Sequence, residues 1–258
     1  MGVTAKPNSA FESGRSQACY APLLAAFNAD VMFQGARVST PTVSEKLFEK
    51  LCAVRRVACV RIPETTERTA DYRVSLRSLN LVAEVKQLDP SDADRELAKV
   101  WGTPLSPGSV GPSDRVQALL ANGYAQIKRS SEGKWPTMIV VFNNSGQWNW
   151  IDTFAISKAM FGSYGIVLGL QPDQTIEVTG YGYMGERKVT KDTFRSLSVV
   201  GVLKRKRIDV AALECYHNPF AHVQIAPSAL SELAEIQYVH PNPHARGFVQ
   251  WEPRKIET

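Results

Sequence analysis

The stretch TADYRVSLRSLNLVAEVKQL, residues 69–88, decides how the chain is read. Two short runs of strand-forming residues flank a polar turn, the pattern of a β-hairpin. Set into those runs are Asp71, Glu84 and Lys86, residue types that strands tend to exclude. If Leu76 lies opposite Leu81 across a four-residue loop, RSLN, opposed positions sum to 157 and Asp71 falls across from Lys86. Glu84, two residues from Lys86, then projects from the same face. The parity is the constraint: an odd sum gathers all three charges on one side, whereas an even sum sends Asp71 to the other. Leu81, Ala83 and Val85 form the opposite, apolar face.

Two neighbouring carboxylates repel and are costly to desolvate unless a cation lies between them. Asp71 and Glu84, with the carbonyl of the intervening Val85, offer the hard oxygen donors that suit Mg²⁺, with Mn²⁺ as a substitute. Lys86 cannot ligate while protonated. Its ammonium is placed to hold an attacking water or to offset charge gathering on a phosphoryl group. The chemistry such a trio supports is metal-assisted phosphodiester hydrolysis.

Upstream, PTVSEKLFEKLCAVRR (41–56) aligns Leu47, Leu51 and Val54 on one stripe and predicts a helix with Ser44 as its N-cap. VACVRI (57–62), closed by Pro63, predicts a first strand, and the hairpin supplies the second and third. Residues 89–113 hold four prolines and three glycines around a short helical piece, ADRELAKVW, and read as a long loop. DRVQALLANGYAQIKR places Val116, Leu119, Leu120 and Ile127 near helical spacing. TMIVVFNN (137–144) is then a buried strand of a parallel or mixed sheet. From 41 to 144 the order is helix, strand, strand, strand, helix, strand.

The D-x12-E-V-K pattern of Asp71, Glu84 and Lys86, preceded by Thr69-Ala70 where Thr-Pro is frequent, together with this element order resembles the PD-(D/E)XK nuclease superfamily. The resemblance covers roughly residues 41–144. It implies an α/β protein with a restriction-endonuclease-like core on a mixed central sheet, acting as a metal-dependent nuclease on DNA. In that reading Asp71 and Glu84 bind Mg²⁺, and Lys86 orients or activates the attacking water. The resemblance further implies an acid from the first helix and a Gln or Lys from the second. Glu45 and Glu49, one turn apart, are both candidates for the acid, with Glu49 preferred, and Gln126 is preferred in the second helix with Lys128 behind it. Many restriction-like nucleases act as dimers, so a homodimer is among the implications. The same residues leave an alternative: a catalytically inactive nuclease-like module that binds nucleic acid or another protein.

Around this core, residues 1–40 read as an N-terminal extension, in which only APLLAAFNADVMF looks helical, and 145–258 as a C-terminal elaboration of the same domain. The elaboration predicts strands at YGIVLGL, SVVGVLK and LECYHN, a helix near DTFAISKAMF and another at SALSELAEI. GYGYMGERK (180–188) has a loop's glycines but lacks the lysine-serine ending of a phosphate-binding loop. QWNW (147–150) suits core packing or a lid, although one tryptophan could stack on a base. His217, His222, His240 and His244 have no cysteine or carboxylate companions, and Asn218-Pro219 reads as a turn, not a metal site. Thirty Lys and Arg against twenty-five Asp and Glu give a net charge of +5, a mild bias toward polyanions. The basic bunches at 55–56, 128–129 and 204–207 are solvated faces or phosphate contacts. Four cysteines without a C-x-x-C pair suggest a reducing, cytoplasmic setting, and no apolar run approaches the ~18 residues of a membrane span.

Overall fold

Helix α1 (Val43–Val54) opens on Thr42, whose hydroxyl accepts the Glu45 N–H at 3.2 Å while the Glu45 carboxylate accepts the Thr42 N–H at 2.6 Å. This reciprocal capping box sets the N-cap at Thr42 and not at Ser44. Both hydroxyls can cap, but the box needs an acid three residues on, and Ser44 has Leu47 there. The chain is seen in a computed structural model that describes residues 40–63, 68–101, 113–145, 151–172, 174–207, 210–240 and 251–255. Residues 1–39 of the expected 1–40 extension, 102–112 of the expected 89–113 loop, QWNW and His244 lie outside the described residues.

Strand β1 (Ala58–Arg61) pairs antiparallel with β2 (Tyr72–Leu76), which pairs antiparallel with β3 (Leu79–Leu88). In the β2–β3 hairpin Leu76 faces Leu79 and Tyr72 faces Ala83, so opposed positions sum to 155 and the loop is the two residues Arg77-Ser78. The expected sum of 157 and its four-residue loop are therefore out by two. An even shift preserves parity, so Glu84 and Lys86 keep the face opposite Ala83 and Val85, while Asp71, just before β2, moves from the level of Lys86 to that of Glu84 and turns its carboxylate to the Val85 N–H.

After β3 come α2 (Asp92–Trp101), inside the long connection, and α3 (Ser113–Ser131), which leads into β4 (Thr137–Asn143), parallel to β3. Val116, Leu120 and Ile127 give α3 its buried stripe. The element order expected for 41–144 is present, with α2 added. Then follow α4 (Thr153–Phe161), β5 (Ser163–Leu170), β6 (Ile176–Met184), β7 (Val199–Arg207), β8 (Val210–His217), β9 (Ile236–Val239) and β10 (Glu252–Lys255). Helix α4 ends at Gly162, where φ is 89° and a Cβ would stand 2.5 Å from the Met184 carbonyl oxygen. Only glycine fits that turn.

Two expectations for the second half change, and two strands are added. Residues 180–184 belong to strand β6 and not to a loop. SALSELAEI is not a helix: Pro227–Leu230 form one 3₁₀ turn, and Ile236 already begins β9. Strands β9 and β10 had no counterpart in the sequence reading.

The protein is α/β, with a mixed eight-stranded sheet in the order β1-β2-β3-β4-β7-β8-β9-β10 and a separate two-stranded sheet, β5-β6, among the described residues. Strands β3, β4 and β7 run parallel at the centre. One face, built from Tyr72, Val74, Ala83, Val85 and Val140, packs under Leu47, Phe48 and Leu51 of α1 and under Leu230 and Leu233. The other, with Val82, Ile139, Val141 and Val200, packs under Val116 and Leu120 of α3 and Ile156 and Met160 of α4. Covering both faces explains why β4 reads as a continuous apolar run. No helix among the described residues is long and apolar enough to cross a membrane.

Candidate active site

The two hairpin strands differ in length, and the site lies in the difference. β3 has ten residues and β2 five, so the β2–β3 ladder ends at Tyr72–Ala83 while Glu84–Leu88 run on, paired only to β4. Asp71 stands just before β2, at the mouth of this gap. The Ile62 N–H donates to its carbonyl at 2.8 Å, and its Oδ2 accepts the Val85 N–H at 2.7 Å. In an extended strand the N–H and C=O of one residue leave on the same side, so the Val85 carbonyl also opens toward Asp71.

Glu84 points to the α3 face and is 1% exposed. One of its carboxylate oxygens, Oε1, pairs with the Lys86 ammonium, and the other, Oε2, is buried with no hydrogen-bond partner. Burial, reinforced by the Asp71 charge and only partly offset by Lys86, pushes the Glu84 carboxyl up to about 8. The Asp71 backbone N–H draws it down somewhat, though Oε2 completes no hydrogen bond. Asp71 is raised as well, chiefly by burial, against the lowering effect of the Val85 N–H.

Burial of Glu84 depends on a residue outside the motif. Gly123 lets α3 settle onto the sheet: a Cβ there would stand 3.3 Å from Ile139 Cδ1 and 3.4 Å from Glu84 Cγ. From one turn further along α3, Gln126 Oε1 accepts from Lys86 Nζ at 2.8 Å while its Nε2 donates to the Thr69 carbonyl at 3.0 Å. Glu84, Lys86, Gln126 and Thr69 thus form one connected chain of contacts, and Lys86 keeps about a fifth of its side chain exposed (21%).

The two first-helix acids part company. The Glu49 carboxylate accepts from the Tyr72 hydroxyl at 2.8 Å, and Tyr72 belongs to the α1 face. Glu45 is the acid whose charge raises Asp71. Its Oε1 pairs with Arg61 Nη2 at 2.6 Å and its Oε2 accepts from the Thr42 N–H at 2.6 Å and hydroxyl at 2.7 Å. The preferred Glu49 therefore stands away from the Asp71–Glu84 pair, while Glu45 stands beside it with both oxygens engaged. Ser44 N–H donates to Gln87 Oε1 at 3.1 Å, which pins the start of α1 over the end of β3 and so carries Glu45 there.

Of the remaining candidates, Lys128 is exposed at the far side of Gln126. In the 204–207 bunch, Lys204 pairs with Glu214 at 2.6 Å, Lys206 with Glu235, and Arg205 lies over the Phe142 ring at 5.3 Å. His217 Nε2 shares a hydrogen bond with Gln237 Oε1 at 2.8 Å, and Asn218 forms the expected turn, accepting the Phe220 N–H at 2.8 Å. Sequence reading missed Gly123, Thr69 and Arg61. Only Gly123 carried a signal, an isolated glycine inside a helical pattern.

Two acids, a backbone carbonyl and an amine can together hold a divalent cation and a water near a phosphate. No group of three or more His, Cys, Asp or Glu side chains suited to a metal gathers among the described residues. Comparison of the chain with protein-family models, with curated proteins and with solved structures returned no match.

Proposed function

We propose that the protein is a metal-dependent nuclease that hydrolyses phosphodiester bonds in DNA. The observation that carries this reading is the buried, partnerless Oε2 of Glu84 beside Asp71, since a desolvated carboxylate oxygen facing a second acid is a donor prepared for a cation. The donor set fits Mg²⁺ or Mn²⁺, which commonly take one or two protein carboxylates and complete their shell with water and substrate oxygens. Asp71, Glu84 and the Val85 carbonyl would hold the ion, which when bound screens the two acids from each other and polarises the scissile phosphate. Asp71 is oriented by the Val85 N–H. Lys86, steered by Gln126, presents its ammonium to an attacking water or to a phosphate oxygen, while Gln126 is itself fixed by the Thr69 carbonyl.

The finer fold reading rests on the same ground. α1-β1-β2-β3-α3-β4, with the four strands adjacent in that order and the two helices on opposite faces, supports a restriction-endonuclease-like core. Glu45 beside the pair has both oxygens engaged by Arg61 and Thr42, and no metal-suited group of three or more such side chains gathers among the described residues, which favours a second reading, the inactive module that binds nucleic acid or protein.

The deciding experiment incubates the full chain with plasmid, single-stranded DNA and RNA in Mg²⁺, Mn²⁺ or EDTA. Cleavage of DNA with metal and none with EDTA is expected. Lys86→Ala should lose turnover by about a hundredfold or more while DNA binding persists. No cleavage under any condition, with DNA binding intact and no metal-induced thermal shift, would establish the inactive module.

A further inference from the structure

The β5–β6 hairpin stands apart from the main sheet and has two unlike faces. Ile166 lies opposite Tyr181, Leu168 opposite Val178, and Leu170 opposite Ile176. A bulge after Val167 takes up Thr179, so all six side chains share one face. Each is more than half exposed, from 52% for Ile166 to 73% for Leu170. The reverse face carries Gly165, Gly169, Gly180 and Gly182 and is partly covered by the hairpin itself. Met184 Cε comes within 2.1 Å of where a Gly165 Cβ would be, and Thr179 Cγ2 within 2.4 Å of one at Gly169.

The hairpin is tied down at its base. Tyr183 packs against Phe161 at 5.7 Å and Tyr164 at 5.3 Å, and the Val189 N–H donates to the Met160 carbonyl at 2.8 Å. Beyond Tyr164 the apolar face lies open, although a two-stranded ribbon alone is marginal in water.

We infer that this face is where a second copy of the chain docks, hairpin against hairpin about a two-fold axis. Six half-exposed large side chains present on the order of 600 Å² of contiguous apolar surface, the upper end of what a lone soluble chain leaves bare and a size at which such patches often serve contacts. Two such faces together remove about 1,200 Å², the lower bound of stable specific interfaces. The face holds no charged residue, so nothing on it selects an unlike partner by charge, whereas a two-fold contact sets apolar residues against apolar residues without further requirement. The basic residues nearby do not make a cationic rim for an anionic membrane: Arg187 is bonded to the Tyr183 carbonyl and Lys188 is paired with Glu186. The inference is independent of the nuclease reading.

Sedimentation velocity on the full chain from about 1 to about 100 μM is the test. A reversible dimer is expected. Leu168→Asp and, as a milder change, Val178→Ser should each weaken it about tenfold or more with circular dichroism unchanged, because both side chains are exposed. Val167→Asp, on the glycine face, and Lys86→Ala should dimerise like the parent. A monomer at every concentration, or a dimer indifferent to Leu168→Asp, overturns the inference. Binding of a monomer to phosphatidylcholine–phosphatidylserine vesicles, lost in Leu168→Asp, would overturn it too and give the face to lipid.

Discussion

Glu84 is held as an acid whose proton is hard to remove. Its carboxyl is raised from 4.5 to about 8, by burial first and by Asp71 second, with Lys86 opposing. The Asp71 that faces it is itself influenced by Glu45 and Arg61. Between those two pH values the folded chain retains a proton that the unfolded chain has released, so metal-free stability falls as pH rises from about 4.5 to about 8 and levels off above. Glu84→Gln should remove most of that slope in thermal melts; a slope that survives would assign the titration elsewhere. If Glu84 holds Mg²⁺ as proposed, the ion would compete with the same proton, so its stabilising shift should be larger at pH 9 than at pH 6, and absent in Glu84→Gln. At this scale the sequence brought Asp71, Glu84 and Lys86 together, because odd parity survives a two-residue slip in register. It did not show that Glu45 and not Glu49 lies beside Asp71. That choice turns on the capping box at Thr42 and on the Ser44–Gln87 bond, the latter joining parts of the chain 43 residues apart.

Among the elements, α1 has its start fixed by the capping box at Thr42. Thr42→Ala removes the hydroxyl that accepts the Glu45 N–H and should cost about 1 kcal/mol in chemical denaturation. It also removes one of the two hydrogen bonds that Glu45 Oε2 accepts from Thr42, while the bond from the backbone N–H remains. Helices and strands with a strong single period, α1, α3 and β4, were legible from apolar spacing. β6 was not, because its glycines alternate with Tyr181 and Tyr183 and imitate a flexible loop, although they only mark the thin face of a ribbon. SALSELAEI failed for the opposite reason. Its leucines keep helical spacing, yet Leu230 and Leu233 are drawn into the core beneath α1's face by one tight turn, and the chain then extends to reach β8. β10, with Glu252, Pro253, Arg254 and Lys255, has no apolar period at all; it is a strand only because β9 offers it an edge.

For the whole molecule, stability should be graded outward from the middle of the sheet. β4 lies between β3 and β7, and Met138, Ile139, Val140 and Val141 are fully buried. Native-state hydrogen exchange should find its amides and those of β7 opening only with global unfolding, while the outer half of β5–β6 exchanges orders of magnitude faster. Comparable protection throughout would contradict that gradient. The adjacency of β4 to β7 joins segments some sixty residues apart and leaves no local trace in the sequence; α/β class could be read from the order of elements, but not this strand order.

Gly162 is the fulcrum of the projecting ribbon. Its φ of 89° and the Met184 carbonyl beside it leave no room for a side chain where α4 passes into a ribbon roughly 25 Å long, and the contacts of Tyr183 and Val189 at the base complete that anchorage. A small rotation there is multiplied along the arm, displacing Leu170 by ångströms while the sheet stays where it is. In the dimer proposed above, the separation of the two molecules would accordingly depend on a turn remote from both their contact and their acids.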